Sequence, residues 1–436
     1  MIAKAVATAV SFAPSFAAWT AEHRRDSLHA LASALADRGD EVIELAAQET
    51  GLTTARLTGE LDRTTGQLRL LGDYVADGRH RPQRVSPGGG PGGADIAQIA
   101  VPVGPVAVFA ASNFPLAFGV LGGDTASALA AGCPVVVKAH PAQPETSALL
   151  STIARPVLGD AFSFVTGGPE ESIELVQAPG IRAVGFTGSF AGGRALMDAA
   201  AARPDPIPVY AEMGSINPVF VLPGAATDLT RAAALAAAVT GSSGQLCTKP
   251  GLVVVPDTAA EFASELASQV AAAPVHRMLT SSMADSHAAW VAALSTSDGV
   301  RIGVSDPAPV AAIVRASQLS GPLLEEHFGP AVVIAMAPVE AFGTVASSLD
   351  GQLTATIHAT DADHDLARAL LPVLVGKAGR IVWNGVPTGV AVVDAMLHGG
   401  PWPATSAPWS TSVGTAAVER FQRPVALQGV PAEVLS

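Results

Sequence analysis

The sequence predicts an α/β fold built on parallel, doubly wound sheets, and three observations lead there. From Val106 onward, short valine-rich runs alternate with stretches of helical pattern. Several of those runs end in glycine, where a strand would turn into the next helix. The 436 residues are 49% hydrophobic and only 14% charged, enough for two or three domains with well-buried cores.

The elements follow in chain order. From about Pro14 to Asp77, apolar residues recur every three or four positions, as in "RRDSLHALASALADRGDEVIELAAQET", and helices are expected. Ahead of them, one lysine, an apolar run and small residues have the outline of an export signal. Phe12, Phe16 and Trp19 fall at helical spacing and charged helix follows at once, which favours an ordinary helix. "RPQRVSPGGGPGG" is a linker. "VAVFA", "PVVVKA", "FSFVTGG" and "AVGFTGS" are strands, and "GGDTASALAAG" is a helix ended by glycine. The apolar stretch from Gly104 to Lys138 has membrane length, but Asn113, Pro115, Gly122, Gly123 and Asp124 interrupt it, so no membrane span is expected. A second alternation begins at "INPVFVLPGA" and runs through "GLVVVP", "AVVIAMAP", "LTATIHA" and "GRIVWNG". The tail "STSVGTAAVERFQRPVALQGVP" ends in a strand-like stretch able to pair with another element or subunit.

A formal charge of −13 argues against a nucleic-acid partner, because phosphates attract basic patches. Two cysteines cannot build a disulfide framework, and a reducing cytoplasm is expected.

A few polar residues stand out. Cys247 sits in "SSGQLCTKPG", among small, flexible residues where a thiol adds little to a core. Gly188 and Ser189 in "FTGSFAGGR" form a strand-to-helix turn whose amides could hold a pyrophosphate, though many such turns do no more than turn. No strand-to-helix turn of the chain carries the GxGxxG fingerprint. Lys138 closes a buried strand, either snorkelling or placed beside a ribose or phosphate. Glu212 closes another, and a carboxylate buried there needs a partner or a task. Asn113 is an amide inside an apolar stretch and needs hydrogen-bond partners, structural or catalytic.

"ASNFPLAF", "GCPVVVKAHP", "VGFTGS", "AEMGSINP", "GQLCT" and "EEHFGP" occur in that order, and with them the chain resembles the aldehyde dehydrogenase superfamily over nearly its whole length. "GLTTARLTGELDRTTGQLR", "RPDPIPVYAEMGSINPVFVLPGA" and "HGGPWPATS" resemble the branch of α-ketoglutaric semialdehyde dehydrogenases and their NADP-dependent fatty aldehyde relatives. The resemblance implies that Cys247 is the nucleophile, forming a thiohemiacetal and then a thioester. It implies Asn113 and the Cys247 N–H as oxyanion donors and Glu212 as the base for hydrolysis. Lys138, Gly188, Ser189, Glu326 and Phe328 would then hold NADP or NAD, with Lys138 at the adenosine ribose and Glu326 and Phe328 at the nicotinamide end. Cys133 is expected to pack as a small apolar residue.

It implies an aldehyde dehydrogenase fold: a Rossmann-like cofactor domain (1–84 and 104–214), an α/β catalytic domain (215–409) and a small β oligomerisation element (85–103 and 410–436). A homodimer or homotetramer is expected. The chain looks short for the family after "SALLSTIARPVLGD" and between "AAAPVHRMLT" and "EEHFGP". Glu170 and Glu171 stand where NADP-preferring relatives often carry arginine, and Pro141 replaces a glutamate or threonine; branch habit leans to NADP and these residues to NAD. "AASNFP" lacks the tryptophan that many members have before the asparagine, a departure this branch shares. A semialdehyde acid needs a cation at the far end of its tunnel, and Arg63 or Arg69 is expected to supply it, unless each is merely structural. His398 is a candidate pocket wall, packed neutral. The expected reaction is oxidation of an aldehyde, α-ketoglutaric semialdehyde first, to its acid. Rival readings are a fatty aldehyde enzyme and a shortened, non-oxidising nucleotide binder.

Overall fold

The computed structural model describes residues 1–80, 84–295, 299–431 and 434. Among them three sheets form. The first has five parallel strands in the spatial order Phe162–Val165, Val135–Lys138, Val106–Phe109, Ala183–Thr187, Val209–Glu212. The chain winds outward in one direction from Val106–Phe109 and then, at Ala183–Thr187, starts in the other. A crevice opens at the carboxyl ends of those two neighbouring strands, where open α/β sheets bind ligands. Val135, Val136 and Val137 are fully buried, as expected of a strand covered on both faces.

The second sheet has seven strands in the order Val300–Ile302, Val310–Arg315, Ala331–Ala337, Leu252–Pro256, Val219–Val221, Gln352–His358, Ala378–Trp383. All are parallel except the first, which pairs antiparallel with Val310–Arg315. Alternate residues feed two cores: Phe220 and Leu252 on one face, Val219, Val221 and Val253 on the other. The second alternation contains two strands beyond the five expected runs, Val300–Ile302 and Val310–Arg315, within a segment that looks shortened in sequence.

Helix begins earlier than Pro14, at Ile2–Ala17, with Ile2, Val6 and Ala9 buried against the first sheet. Phe12, Phe16 and Trp19 form one aromatic cluster, as their spacing predicts. Three more helices follow, Ala21–Asp37, Gly39–Thr50 and Thr54–Ala76. The predicted linker is in part a strand: Arg84–Ser86 pairs with Ile96–Pro102, while 81–83 lie outside the described residues. The tail strand Gln422–Gln428 runs antiparallel to the other edge of Ile96–Pro102, completing a three-stranded sheet. Residues 432, 433, 435 and 436 of the expected oligomerisation element also lie outside the described set. Among the described residues no helix is long and apolar enough to cross a membrane.

Candidate active site

Two adjoining cavities occupy the crevice. One, about 330 Å³, is lined by Phe109, Lys138, Pro141, Gly168, Phe186 and Leu196, among others. The next, about 280 Å³, holds Asn113, Gly188, Ser189, Glu212, Cys247, Glu326 and Phe328 together. His140, Thr187, Gly188 and Ser189 line both, so the two form one path from Lys138 to Cys247. A hollow of about 460 Å³ beside Ile2–Ala17 is larger, but it is open and mostly apolar, with Glu174 as its one charged lining residue.

The first cavity fits the adenosine end of a dinucleotide. Ser189 caps the helix Phe190–Ala201 by accepting from Gly192 N–H at 3.2 Å, which aims the helix N-terminus at the crevice. A Cβ on Gly188 would come within 2.5 Å of the Phe186 ring, so only glycine lets the turn close over that ring. Thr187 Oγ1, at the joint between the cavities, is buried without a partner among the described residues, ready for a ligand. Lys138 is buried, and desolvation lowers its pKa. Glu171 Oε2 accepts from Gly168 N–H at 2.7 Å, and hydrogen bonds from its own N–H and then from Gly168 hold its carboxyl below the usual range.

The cysteine loop explains its small residues. Ser242, Ser243 and Gly244 all take positive φ, at 51°, 51° and 68°. A Cβ on Gly244 would lie 2.0 Å from the Gly329 carbonyl oxygen, so the loop docks backbone to backbone on the "EEHFGP" segment. Asn217 Nδ2 ties the loop down from beneath, donating to the carbonyls of Cys247 (2.8 Å) and Lys249 (2.9 Å). Asn113 Nδ2 donates to the Gln245 carbonyl at 3.1 Å, which puts this amide against the loop that carries Cys247.

His398 does more than wall the pocket. Its Nε2 lies 2.8 Å from Glu212 Oε1 and 3.6 Å from Cys247 Sγ. One ligand atom from each of the three residues falls within 4.8 Å of the others. Ser412 donates to Glu212 Oε2. Burial alone would raise the Glu212 carboxyl, but His398, Ser412 and Arg420 together hold it below its ordinary value. Cys247 shows the reverse: burial, then Glu212 and Glu326, push its thiol well above the ordinary value, and Arg63 opposes them. Glu326 is pushed up to about 7, chiefly by burial, despite Lys249 nearby. Burial brings Lys249 down to about 8, and its Nζ donates to the Ala331 carbonyl at 2.7 Å.

The two arginines on the helix Thr54–Ala76 separate. Arg63 Nη1 donates to the Val390 carbonyl at 2.7 Å, and its guanidinium stands 5.7 Å from the Phe118 ring centre, next to His398. Arg69 lies six residues on, about 240° further round the helix, and its carbonyl meets His29 Nε2 at 3.3 Å; the structure does not bring it to the site.

The sequence reading missed three supporting groups. Arg56 reaches the Asn113 carbonyl and Ser242 Oγ, each at 3.4 Å, and pairs with buried Glu60 at 3.2 Å. Glu60 accepts from the N–H groups of Leu116 and Ala117 at 2.8 and 3.0 Å. Arg380 feels the Cys247 charge from the strand Ala378–Trp383. The available signals were a Glu four residues after an Arg inside a buried helix, and a charge within the apolar run "GRIVW".

Comparison with known proteins bears on the family and the fold. The aldehyde dehydrogenase family model matches residues 1–288. Alpha-ketoglutaric semialdehyde dehydrogenase 2 of Azospirillum brasilense is 44% identical, over 94% of this chain and 83% of that protein. The alpha-ketoglutaric semialdehyde dehydrogenase of Acinetobacter baylyi is 42% identical, over 94% and 82%. Among solved structures, Bradyrhizobium japonicum proline utilization A superposes with a TM-score of 0.85 at 25% identity; the match covers 98% of this chain but only 44% of that one. Lactaldehyde dehydrogenase from Escherichia coli gives a TM-score of 0.85 at 20% identity, over 98% and 91%, which speaks for the fold alone.

Proposed function

The chain belongs to the aldehyde dehydrogenase family, and on that premise we propose that it oxidises α-ketoglutaric semialdehyde to 2-oxoglutarate with NAD, through a thioester on Cys247. Membership makes it an NAD(P)-dependent oxidoreductase acting on an aldehyde. The observation that carries the assignment of roles is the convergence of Asn113, Glu212, Cys247, Glu326 and Phe328 on one cavity continuous with the Lys138 cleft.

Cys247 Sγ attacks the aldehyde carbon. His398 Nε2 faces two acceptors, Glu212 Oε1 and Cys247 Sγ, so the tautomer that serves both carries its proton there. In that tautomer His398 cannot take the thiol proton; it holds Glu212 in place and favours a thiolate, and Glu212 is the base. Asn113 Nδ2 and the Cys247 N–H stabilise the oxygen as charge grows on it. The nicotinamide, when bound, supplies a hydride acceptor. Once the thiol proton has passed from Glu212 to solvent, Glu212 deprotonates the water that cleaves the thioester, and aldehyde, NAD⁺ and water become acid, NADH and a proton.

The substrate assignment rests on the names of the two relatives and on Arg63, a cation on the Phe118 and His398 side of Cys247. NAD over NADP rests on Glu171, a capping carboxylate at the ribose end of the Lys138 cleft that would repel a 2′-phosphate. The domain limits are 1–84 with 104–214, 215–409, and 85–103 with 410–436. The small sheet, which exposes Val85 and Ile99, supports a homodimer or homotetramer. Cys133 and Cys247 are both free, which suits the cytoplasm.

The test is growth of 340 nm absorbance with the semialdehyde and either NAD⁺ or NADP⁺. The expected result is turnover that favours NAD⁺ and falls by at least about 1000-fold in Cys247→Ala. Turnover of long aliphatic aldehydes alone would overturn the substrate, and nucleotide binding without turnover would overturn the activity.

A further inference from the structure

Behind Cys247, away from the cofactor path, two cations meet one loop. Arg63 Nη1 donates to Val390 O at 2.7 Å; Arg380 Nη1 donates to Gly389 O at 2.9 Å and its Nη2 to Pro387 O. One short loop, 387–390, thus anchors guanidiniums from a helix near the N-terminus and a strand near the C-terminus. The anchor lies close to the chemistry. Phe118 packs between Arg63 and His398, at 5.7 and 6.3 Å, and Gly379 lies so close to the Gly399 carbonyl that a Cβ would come within 2.1 Å of it.

The anchored arginines keep donors in reserve. Arg63 Nε and Nη2, and Arg380 Nε, are shut off from water and have no acceptor among the described residues. Neither residue makes an ion pair among the described residues. Nε and Nη2 of one guanidinium form its side-on fork, whose spacing matches the two oxygens of a carboxylate. The free Nε–H of Arg380 is a single donor that suits one carbonyl oxygen. Neither cation has a carboxylate in contact, although Glu60 and Glu212 act on Arg63 from further off, and a negative Cys247 acts on both, so an anion beside them is favoured.

We propose that Arg380 is a specificity-determining residue which recognises the 2-oxo group of the substrate, while the fork of Arg63 takes the neighbouring carboxylate. The inference rests on the semialdehyde-acid reading above and deepens it. A lone arginine would read the acid end only; the pair reads a 2-oxo acid.

Three five-carbon aldehydes separate these roles: α-ketoglutaric semialdehyde, glutaric semialdehyde, which lacks the 2-oxo group, and pentanal, which lacks both. In the wild type, kcat/KM is expected to fall in that order. Arg380→Met is expected to reduce the preference for the 2-oxo acid over glutaric semialdehyde by about 30-fold or more, mostly through KM, and Arg380→Lys should not restore it. Arg63→Met is expected to reduce the preference for either acid over pentanal. Turnover of pentanal by the same preparation reports folding, since only ratios are read. If Arg380→Met lowers all three substrates by one factor, the residue is structural and the proposal is overturned. If the wild type prefers glutaric semialdehyde, the Arg380 role falls while an acid-reading Arg63 stands. If the wild type prefers neither acid to pentanal, the semialdehyde-acid reading falls with it.

Discussion

Cys247 shows how one side chain collects the conflicts of its surroundings. Burial and two carboxylates raise its pKa, and Arg63 pulls the other way. The signs give opposite expectations for two variants. In Arg63→Met the cation is gone, so the thiolate forms at higher pH; in Glu326→Gln a repelling charge is gone, so it forms at lower pH. Rates of iodoacetamide inactivation against pH would show both, and a profile that ignores either change would remove that charge from the thiol's environment. Glu326 also carries a linkage. Its folded pKa of about 7 lies above the unfolded value of about 4.5, so its contribution is fully present below pH 4.5 and is lost as pH rises through 7. The loss amounts to about 3 kcal/mol at pH 8. Glu326→Gln is therefore expected to be more stable than wild type at pH 8.5, with the gap shrinking towards pH 5, as thermal melting at the two pH values would record. A gap that stays constant between them would mean that the carboxyl is not desolvated.

The helix Thr54–Ala76 and the turn 113–118 work as a unit. The turn would leave the N–H groups of Leu116 and Ala117 buried and unpaired, and Glu60 accepts both from the helix. Its charge is balanced by Arg56, which also touches Asn113 and Ser242, so one ion pair spans helix, amide donor and cysteine loop. Burial raises the Glu60 carboxyl more than Arg56 and the two amides lower it. Glu60→Gln keeps the acceptor but loses the pair. It is expected to cost about 3 kcal/mol of stability and to lower kcat more than it changes KM, because Asn113 drifts from the growing oxyanion. An unchanged kcat with lowered stability would leave the pair a purely structural role. Only the spacing of Arg56 and Glu60 can be read along the chain, not what they touch. The strands "VAVFA" and "VVVK", and the residues at their ends, were legible because burial on both faces writes continuous apolar runs. Glu212 and Asn113 stand out as polar groups at the end of or inside such runs, and Cys247 as a rare thiol among small, flexible residues. Glu60 sits in an ordinary amphipathic pattern and Arg380 is a single charge in an apolar run, and only the packing of distant segments gives them partners. His398 reads as a packed pocket wall along the chain, because its contact with Glu212 spans 186 positions.

At the scale of the whole molecule, the tail closes the structure that the N-terminal half begins. Gln422–Gln428 pairs along the full length of Ile96–Pro102, and just before it Phe421 enters the first core while its carbonyl accepts from Cys133 Sγ–H at 3.3 Å. Arg420 is the electrostatic pin. Its Nη2 meets Asp124 Oδ1 at 2.7 Å and Ser127 Oγ at 3.2 Å, with both charged side chains almost wholly buried. Asp124 belongs to the helix Gly123–Ala131, packed beneath the crevice, so the pin joins tail, cofactor core and small sheet; Arg420 also helps to keep Glu212 ionised. Breaking a buried pair strands one charge in a poorly solvated place, whereas removing both partners does not. Arg420→Met and Asp124→Asn should each lower stability by about 3–5 kcal/mol, read from the urea midpoint and slope, and the double variant should lose clearly less than their sum. Additive losses would show that the two charges do not interact. Arg420→Met should further shift the acid limb of the kcat profile upward, because Glu212 then loses a cation that lowers its pKa, while Asp124→Asn should leave that limb where it is. The tail therefore ties stability to catalysis through a single guanidinium, and the two variants separate its structural share from its electrostatic one.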